Sequence, residues 1–429
     1  MTTHNAGQSP AAVLLHWQEN DTAQQARWQS EAGNAPPTRV QIVDDQTRAD
    51  DAFRLACAGT GMLWHGDFQS ARQLLQALGR RLEQRVGRRL EQRKKDIPSD
   101  TSPSDRFHRY RMAQAQRARI LGMVLIPVAP GHSIALRRAP DVSAACIAAY
   151  GERDDHYVVS LRELLGVIGA YQWQSKGVFV PALSAASTAA ASTTSSTAAQ
   201  QHDDAQARIH PHYGVFSPVR GEYIDLVAKA SLPALFNRSD AGLRTPAFDI
   251  GTGTGVLAAV LARRGLQHIL ATDRDPRALA CARDNLVRLG LTAQVQVQDS
   301  ALFPEPPTTL AGLIVCNPPW LPGKPGSPLE HAIYDPDSRM LRGFLNGLAA
   351  RLTDGGEGWL VLSDLAEHLG LRSRDTLLQW ISEAGLQVLG RSQARPQHPK
   401  AFEKTDPLYE ARRQELTSLW RLGVAQAGR

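Results

Sequence analysis

Cysteine is scarce: four residues in 429, at positions 57, 146, 281 and 316, with no two close enough to form a C-x-x-C pair. Neither a disulfide framework nor a zinc site is indicated, and the thiols are expected to be buried groups in a reducing compartment. Long apolar runs are missing as well. The stretch Ile120 to Leu136 is broken by Pro127, Pro130 and His132 and falls short of the ~20 residues that a spanning helix needs. The first twenty residues have neither a basic start nor an unbroken apolar run, so no signal peptide is expected and cytoplasmic residence is the default. With 42 % hydrophobic and 21 % charged residues and a mean hydropathy of -0.30, global disorder and a collagen-like fibre are both excluded.

What is present is an uneven charge. The net charge is +6, and residues 80–95 alone carry eight Lys/Arg against two Glu, so the rest of the chain is nearly balanced. That stretch repeats GRRLEQR at 79–85 and 87–93 and is followed by RFHRYRMAQAQRAR at 106–119, with five Arg and no acid. Arg80, Arg81, Arg88 and Arg89 are therefore candidate contacts to a polyanionic substrate. The plainer alternative is a solvated helix face, since Leu74, Leu75, Leu78, Leu82 and Val86 recur at helical spacing opposite the arginines.

Composition also divides the chain. Ser184 to Ala199 are sixteen residues drawn only from Ala, Ser and Thr, nine of them Ser or Thr, which suits a linker rather than a stable helix. The expected organisation is a partly disordered N-terminus over 1–35, a basic substrate-recognition region of mixed α/β type over 36–183, a linker over 184–207 and a third region over 208–429. In the second region MVLIPV, IALRR and GVFVPAL are expected as strands, with SAACIAAYG and SLRELLGVIGAYQW as helices. After residue 208 apolar and helical segments alternate five times, the pattern of a parallel sheet wrapped by helices, whose ligands bind beyond the carboxyl ends of the strands.

The first of these strands ends in FDIGTGTGV, placing Asp249 before Gly251, Gly253 and Gly255. A dinucleotide fingerprint wants glycine at 256, which is valine, so a nicotinamide oxidoreductase is disfavoured. No Lys-Ser/Thr pair follows, so a phosphate-cradling P-loop is excluded too. Asp273 ends the second strand and Asp299 follows the third. A carboxylate in the first place can accept both hydroxyls of a ribose, and one in the second can meet an adenine amino group. Either alone is more often a cap or turn residue.

The fourth strand runs into Asn317-Pro318-Pro319-Trp320. Two prolines cannot continue a strand's hydrogen bonding, so the end is exposed there. The Asn317 side-chain oxygen and the Pro318 carbonyl can take both hydrogens of an NH2 group, and Trp320 offers a flat face beside them. That kit suits a planar amide or aromatic amine, whose nitrogen lone pair is tied up in conjugation.

Taken together, D-x-G-x-G-x-G, the two acidic residues and N-P-P-W resemble a class I S-adenosylmethionine-dependent methyltransferase over roughly 208–391, and most of all its HemK-like amino-methylating group. YGVFSPVRGEYIDLV (213–227) is similar to the F-x-P-R-x-E-type segment of that group, and LEHAIYDPDSRMLRGFL (329–345) to the stretch after its N-P-P-Y. The resemblance implies a Rossmann-like domain at 208–429 that binds S-adenosylmethionine through Asp249, Gly251, Gly253, Gly255, Asp273 and Asp299. It implies that Asn317, Pro318 and Trp320 perform catalysis with Pro319 beside the substrate, and that no metal is needed. The favoured acceptor is a glutamine amide in a protein of the translation machinery. An exocyclic amino group of a ribosomal RNA base is the alternative, and a catalytically silent RNA-binding protein is a third possibility. Whether 397–414 folds over the site is left open by the sequence.

Overall fold

A computed structural model of the chain describes residues 13–93, 102–184, 207–237, 245–305, 309–397, 403–404 and 406–426, the side chains of 86–93 excepted. The chain divides into two compact units, one of residues 1–100 and 111–171 and the other of 101–110 and 172–429. Of the Ala/Ser/Thr-rich segment expected as a linker, only Ser184 and Ala207 are described; residues 1–12 lie outside the described residues too.

In the first unit, β1 (Leu14–Glu19), β2 (Thr22–Gln29), β3 (Arg39–Val43), β4 (Thr60–Trp64), β5 (Val124–Val128) and β6 (Tyr157–Ser160) form a mixed sheet in the order β1-β2-β6-β5-β4-β3. Around it run α1 (Ala49–Cys57), α2 (Phe68–Arg93), α3 (Pro103–Leu121), α4 (Ser143–Tyr150) and α5 (Leu161–Lys176), the opening turns of α3 being counted with the second unit. Where a partly disordered N-terminus was expected, residues 14–29 form a hairpin turning on Asn20 and Asp21 at φ +48° and +60°. Leu74, Leu78 and Leu82 of α2 are buried at four-residue intervals, as the leucine spacing requires. The expected strand at IALRR does not form: Phe68 donates to the Arg137 carbonyl, Arg137 pairs with Asp45 and Arg138 grips Asp67 at 2.6 and 2.8 Å, so ionic anchoring overrides β propensity. The segment GVFVPAL, already in the second unit, keeps only a two-residue strand, β7 (Val178–Phe179), paired with β8 (Arg208–Ile209), before a 3-10 turn at Pro181–Leu183.

The second unit is built on β9 (Ala247–Ile250), β10 (Ile269–Asp273), β11 (Val295–Asp299), β12 (Ala311–Cys316), β13 (Leu352–Ser363), β14 (Leu386–Ala394) and β15 (Thr417–Val424), ordered β11-β10-β9-β12-β13-β15-β14. The first five are parallel and β15 is antiparallel to both of its neighbours. Strands buried on both faces must be apolar, and β12 (AGLIVC) and the WLVL run of β13 are, whereas β11 and β14 at the two edges carry exposed polar residues. Leu313, Val315, Trp359 and Val361 enter one core while Ile314, Cys316, Leu360 and Leu362 enter the other. The first core is closed by α6 (Glu222–Lys229) and α7 (Val256–Arg263), the second by α9 (Arg339–Leu348) and α11 (Arg374–Glu383); α8 (Pro276–Arg288) lies between β10 and β11 in the chain, and α10 (Leu365–His368) and α12 (Tyr409–Arg412) are single turns. This is a Rossmann-like α/β sheet, and its order reverses at β9, leaving a crevice at the carboxyl ends of β9 and β12. No described helix is long and apolar enough to cross a membrane.

Phe344 of α9 is fully buried and stacks on Phe303 with ring centroids 6.1 Å apart. Phe344→Ala should destabilise the protein by about 3–5 kcal/mol, the scale of an emptied aromatic site. Denaturant titration would measure it; a loss under about 1 kcal/mol would mean the core collapses onto the gap.

Candidate functional site

The glycine turn leaves β9 with Gly251, Gly253 and Gly255 at φ +71°, +55° and +81°. At 251 a Cβ would meet the mobile Met340 Cε at 2.5 Å, so it is the positive φ that calls for glycine there, whereas above Gly253 there is open space. The turn is pinned from below by Asp249, whose Oδ2 accepts from Thr252 Oγ1 at 2.6 Å and from the Ala258 amide at 3.0 Å. Asp249 is 1 % exposed. Burial lifts its pKa to about 6, against the opposing pull of those two donors.

Asp273 stands at the end of β10, where its Oδ2 accepts from the Gly253 amide and its Oδ1 from the Asp275 amide, both at 3.0 Å. Its pKa is raised, chiefly by burial. Parallel pairing sets Asp299, which is exposed, directly opposite Asp273. Across β9 from them, Cys316 pairs with Ile250, so the residue after it, Asn317, leaves the same sheet edge as Gly251. The structure thus brings the glycines and Asp273 into contact, sets Asp299 beside Asp273, and places Asn317 on the other side of the crevice.

Within the Asn-Pro-Pro-Trp element, Trp320 Nε1 donates to Asn317 Oδ1 at 2.9 Å. Pro318 is buried and Pro319 half-buried. The ring expected as an open face for substrate has other neighbours: the Arg220 guanidinium lies 4.9 Å from its centroid, and the indole packs on both cores. Arg372 reaches the Trp320 carbonyl at 3.4 Å and Ser338 Oγ at 3.3 Å. The loop that follows is closed by a bridge between Leu321 and Tyr334. Asp335 then caps α9, accepting from the Met340 and Leu341 amides at 3.0 and 3.1 Å. Asp337 and Ser338 occupy the left-handed region at φ +55° and +53° without being glycine, backbone strain of the kind that clusters at functional sites.

The candidate substrate arginines belong to α2 of the other unit. Arg80 is exposed, Arg81 pairs with Asp50 at 2.9 Å, and the side chains of Arg88 and Arg89 lie outside the description. Sequence reasoning missed Arg372 and Glu415. Arg220 and Glu222 were visible only as part of the segment 213–227, and Asp335 only as part of 329–345. Among the described residues no group of three or more His, Cys, Asp or Glu could hold a metal ion. A hollow of about 540 Å³ beside Pro246, His268 and Gln294 sits at the amino ends of the strands, the edge opposite to where ligands of such sheets bind.

Burial of Asp249 has a consequence for stability. Its pKa of about 6 exceeds the ordinary carboxylate value of 3.8, so the folded chain holds a proton that the unfolded chain has released. The associated stability is complete below that ordinary value and is lost as pH rises through the folded value, up to ~3 kcal/mol in all. Asp249→Asn should abolish that component, gaining on the wild type as pH rises from 4 to 7 in urea denaturation. Parallel pH profiles would refute it.

Comparison with known proteins gives the site its context. Residues 206–374 match the family model of the methyltransferase small domain. A release factor glutamine methyltransferase of Cereibacter sphaeroides is 35 % identical over 26 % of this chain and 36 % of its own length. A tRNA1(Val) (adenine(37)-N6)-methyltransferase of Pedobacter heparinus is 31 % identical over 29 % of this chain and 57 % of its own. A second release factor glutamine methyltransferase, from Gloeobacter violaceus, is 30 % identical over 39 % of this chain and 54 % of its own. The chain thus spans between about a third and under two thirds of these relatives' lengths. Both the glycine turn and the Asn-Pro-Pro-Trp element fall inside the segment that matches the methyltransferase small-domain model, residues 206–374.

Proposed function

We propose that the chain is an S-adenosylmethionine-dependent N-methyltransferase whose acceptor is a glutamine side-chain amide in a protein of the translation machinery. The observation that carries this reading is the Asn317 carboxamide, held by Trp320 at the sheet edge that also bears the glycine turn and Asp273. The residues fit the cofactor: open space above Gly253 admits a ligand against the backbone, and Asp273 keeps a carboxylate beside it for the two ribose hydroxyls. Asp299, one strand further out, suits the adenine amino group. Asp249 shapes the turn from beneath.

When bound, S-adenosylmethionine supplies a methyl group already activated by its sulfonium. The work left to the chain is to place the acceptor nitrogen and stabilise the charge it gains. Asn317 Oδ1, with one lone pair on the indole, keeps the other for an acceptor N–H, and the Pro318 carbonyl takes the second. Holding both hydrogens draws the nitrogen lone pair out of conjugation and favours the developing positive charge. One of those protons leaves to solvent after transfer, so no prior base is required.

A nucleic-acid base would be recognised by sandwiching it against an aromatic ring, and Trp320 is packed by Arg220 and both cores. This supports the amide over the base, although the relatives' names include both kinds of acceptor. Substrate recognition falls to the first unit, whose basic stretch begins at the exposed Arg80.

Calorimetry should find S-adenosylmethionine and S-adenosylhomocysteine bound and NAD ignored; the opposite pattern would overturn the assignment. Asp273→Ala should cost about 1–3 kcal/mol of cofactor affinity. Because burial raises the Asp273 pKa, affinity should fall as pH drops through a range above that of ordinary carboxylates. Unchanged affinity in the folded variant would remove Asp273 from the ribose role.

Asn317→Ala should spare cofactor binding while cutting methyl transfer from labelled S-adenosylmethionine to cell-extract protein by about a hundredfold or more. Equal loss of binding and transfer would contradict the acceptor role.

A further inference from the structure

A carboxamide has nearly the same shape when its oxygen and nitrogen are exchanged, and only the oxygen can accept a hydrogen from an acceptor amine. Something must therefore fix which way Asn317 faces. The indole N–H of Trp320 is a donor only, and it lies 2.9 Å from Asn317 Oδ1. With the amide reversed, two donors would meet in a half-buried place, at the cost of an unsatisfied group.

Trp320 is in turn held on three sides. Arg372 binds its carbonyl, the two cores pack its ring, and the Arg220 guanidinium lies over its face at 4.9 Å. Arg220 is itself fixed by two carboxylates, Glu222 Oε1 at 2.7 Å and Glu415 Oε1 at 3.0 Å, whose side chains are each only 2 % exposed. Glu415 Oε1 also accepts from Ser363 Oγ at 2.7 Å. Two buried carboxylates on one cation leave the guanidinium little freedom. Burial works against its charge, yet Glu415 and Glu222 more than restore it. The chain of contacts thus runs from the end of β13 and the approach to β15, through Arg220 and Trp320, to the one carboxamide of the acceptor loop.

We propose that Arg220 and Trp320 are positioning residues, a strut that holds the Asn317 oxygen toward the acceptor nitrogen. The proposal rests on the acceptor role given to Asn317 above. It assigns to tryptophan at 320 a task that phenylalanine cannot perform, since the ring alone has no donor.

The test uses the full chain labelled with 15N at tryptophan. Trp320→Phe identifies the Trp320 indole signal by its loss. In the wild type that N–H should exchange slowly with water, and Asn317→Ala or Arg220→Lys should each shift it and speed its exchange about two- to tenfold, the range set by one hydrogen bond's net worth. Arg220→Lys keeps a cation for Glu222 and Glu415 while losing the planar stack; the remaining seven indole signals report whether the fold survives. A Trp320 signal indifferent to both substitutions overturns the strut. In parallel, methyl transfer from labelled S-adenosylmethionine to cell-extract protein should drop roughly ten- to a hundredfold in Trp320→Phe with KM for S-adenosylmethionine unchanged. In an Asn317→Ala background the same substitution should cost nothing further. A full extra loss there would show that Trp320 acts on the substrate directly and sink the proposal. Should the wild type transfer no methyl at all, the methyltransferase reading fails while the resonance arm still decides the strut.

Discussion

A carboxylate almost without access to water, Asp249, is the constraint on which the glycine turn of the second unit depends. It sits on the last turn-ward step of the strand where the sheet order reverses, and its two donors come from the glycine turn and the first turn of α7. That one group ties strand, turn and helix together. Without it the left-handed glycines would have no fixed relation to the sheet edge, and the Gly253 amide would not be presented to Asp273. The cost is a buried acid whose proton is held to about pH 6, a local sacrifice of stability in exchange for a defined turn.

The Asn-Pro-Pro-Trp side of the crevice is organised by the same logic with different groups. Proline stops β12, Asp335 caps α9, and two arginines hold the loop, half-buried Arg220 at the indole face and buried Arg372 at its carbonyl. Each charged group there is matched: Arg220 by two glutamates, Arg372 by the Trp320 carbonyl and the Ser338 hydroxyl. Buried polar groups satisfied in this way stiffen a loop more than they stabilise a fold. A rigid loop is what orientation of an acceptor demands.

Much of this was legible from residue order alone. The glycine spacing, the aspartates closing β10 and β11 and the double proline after β12 are local signals, and short apolar segments alternating with helical ones marked the parallel strands. What escaped was non-local. Glu415 lies 195 residues from Arg220, and nothing in its own neighbourhood distinguishes it from a surface glutamate. IALRR looked like a strand because β propensity does not register the aspartates that capture Arg137 and Arg138. The polarity of residues 14–29 hid a hairpin that sits at a sheet edge with one side in water. Trp320 could be read from the sequence as part of the Asn-Pro-Pro-Trp element, but its burial among arginine and core side chains depends on elements that no tetrapeptide encodes.

The central claim is transfer of a methyl group to a planar nitrogen, and the position of the mark tests it most directly. Incubating the protein with S-adenosylmethionine carrying a deuterated methyl group and a cell extract, then sequencing labelled peptides and nucleosides by tandem mass spectrometry, should place the heavy methyl on a glutamine side-chain nitrogen. A mark on a carboxylate, a ring carbon or a hydroxyl would contradict the account, and a mark on the amino group of a nucleobase would overturn the acceptor while leaving the chemistry of Asn317 intact.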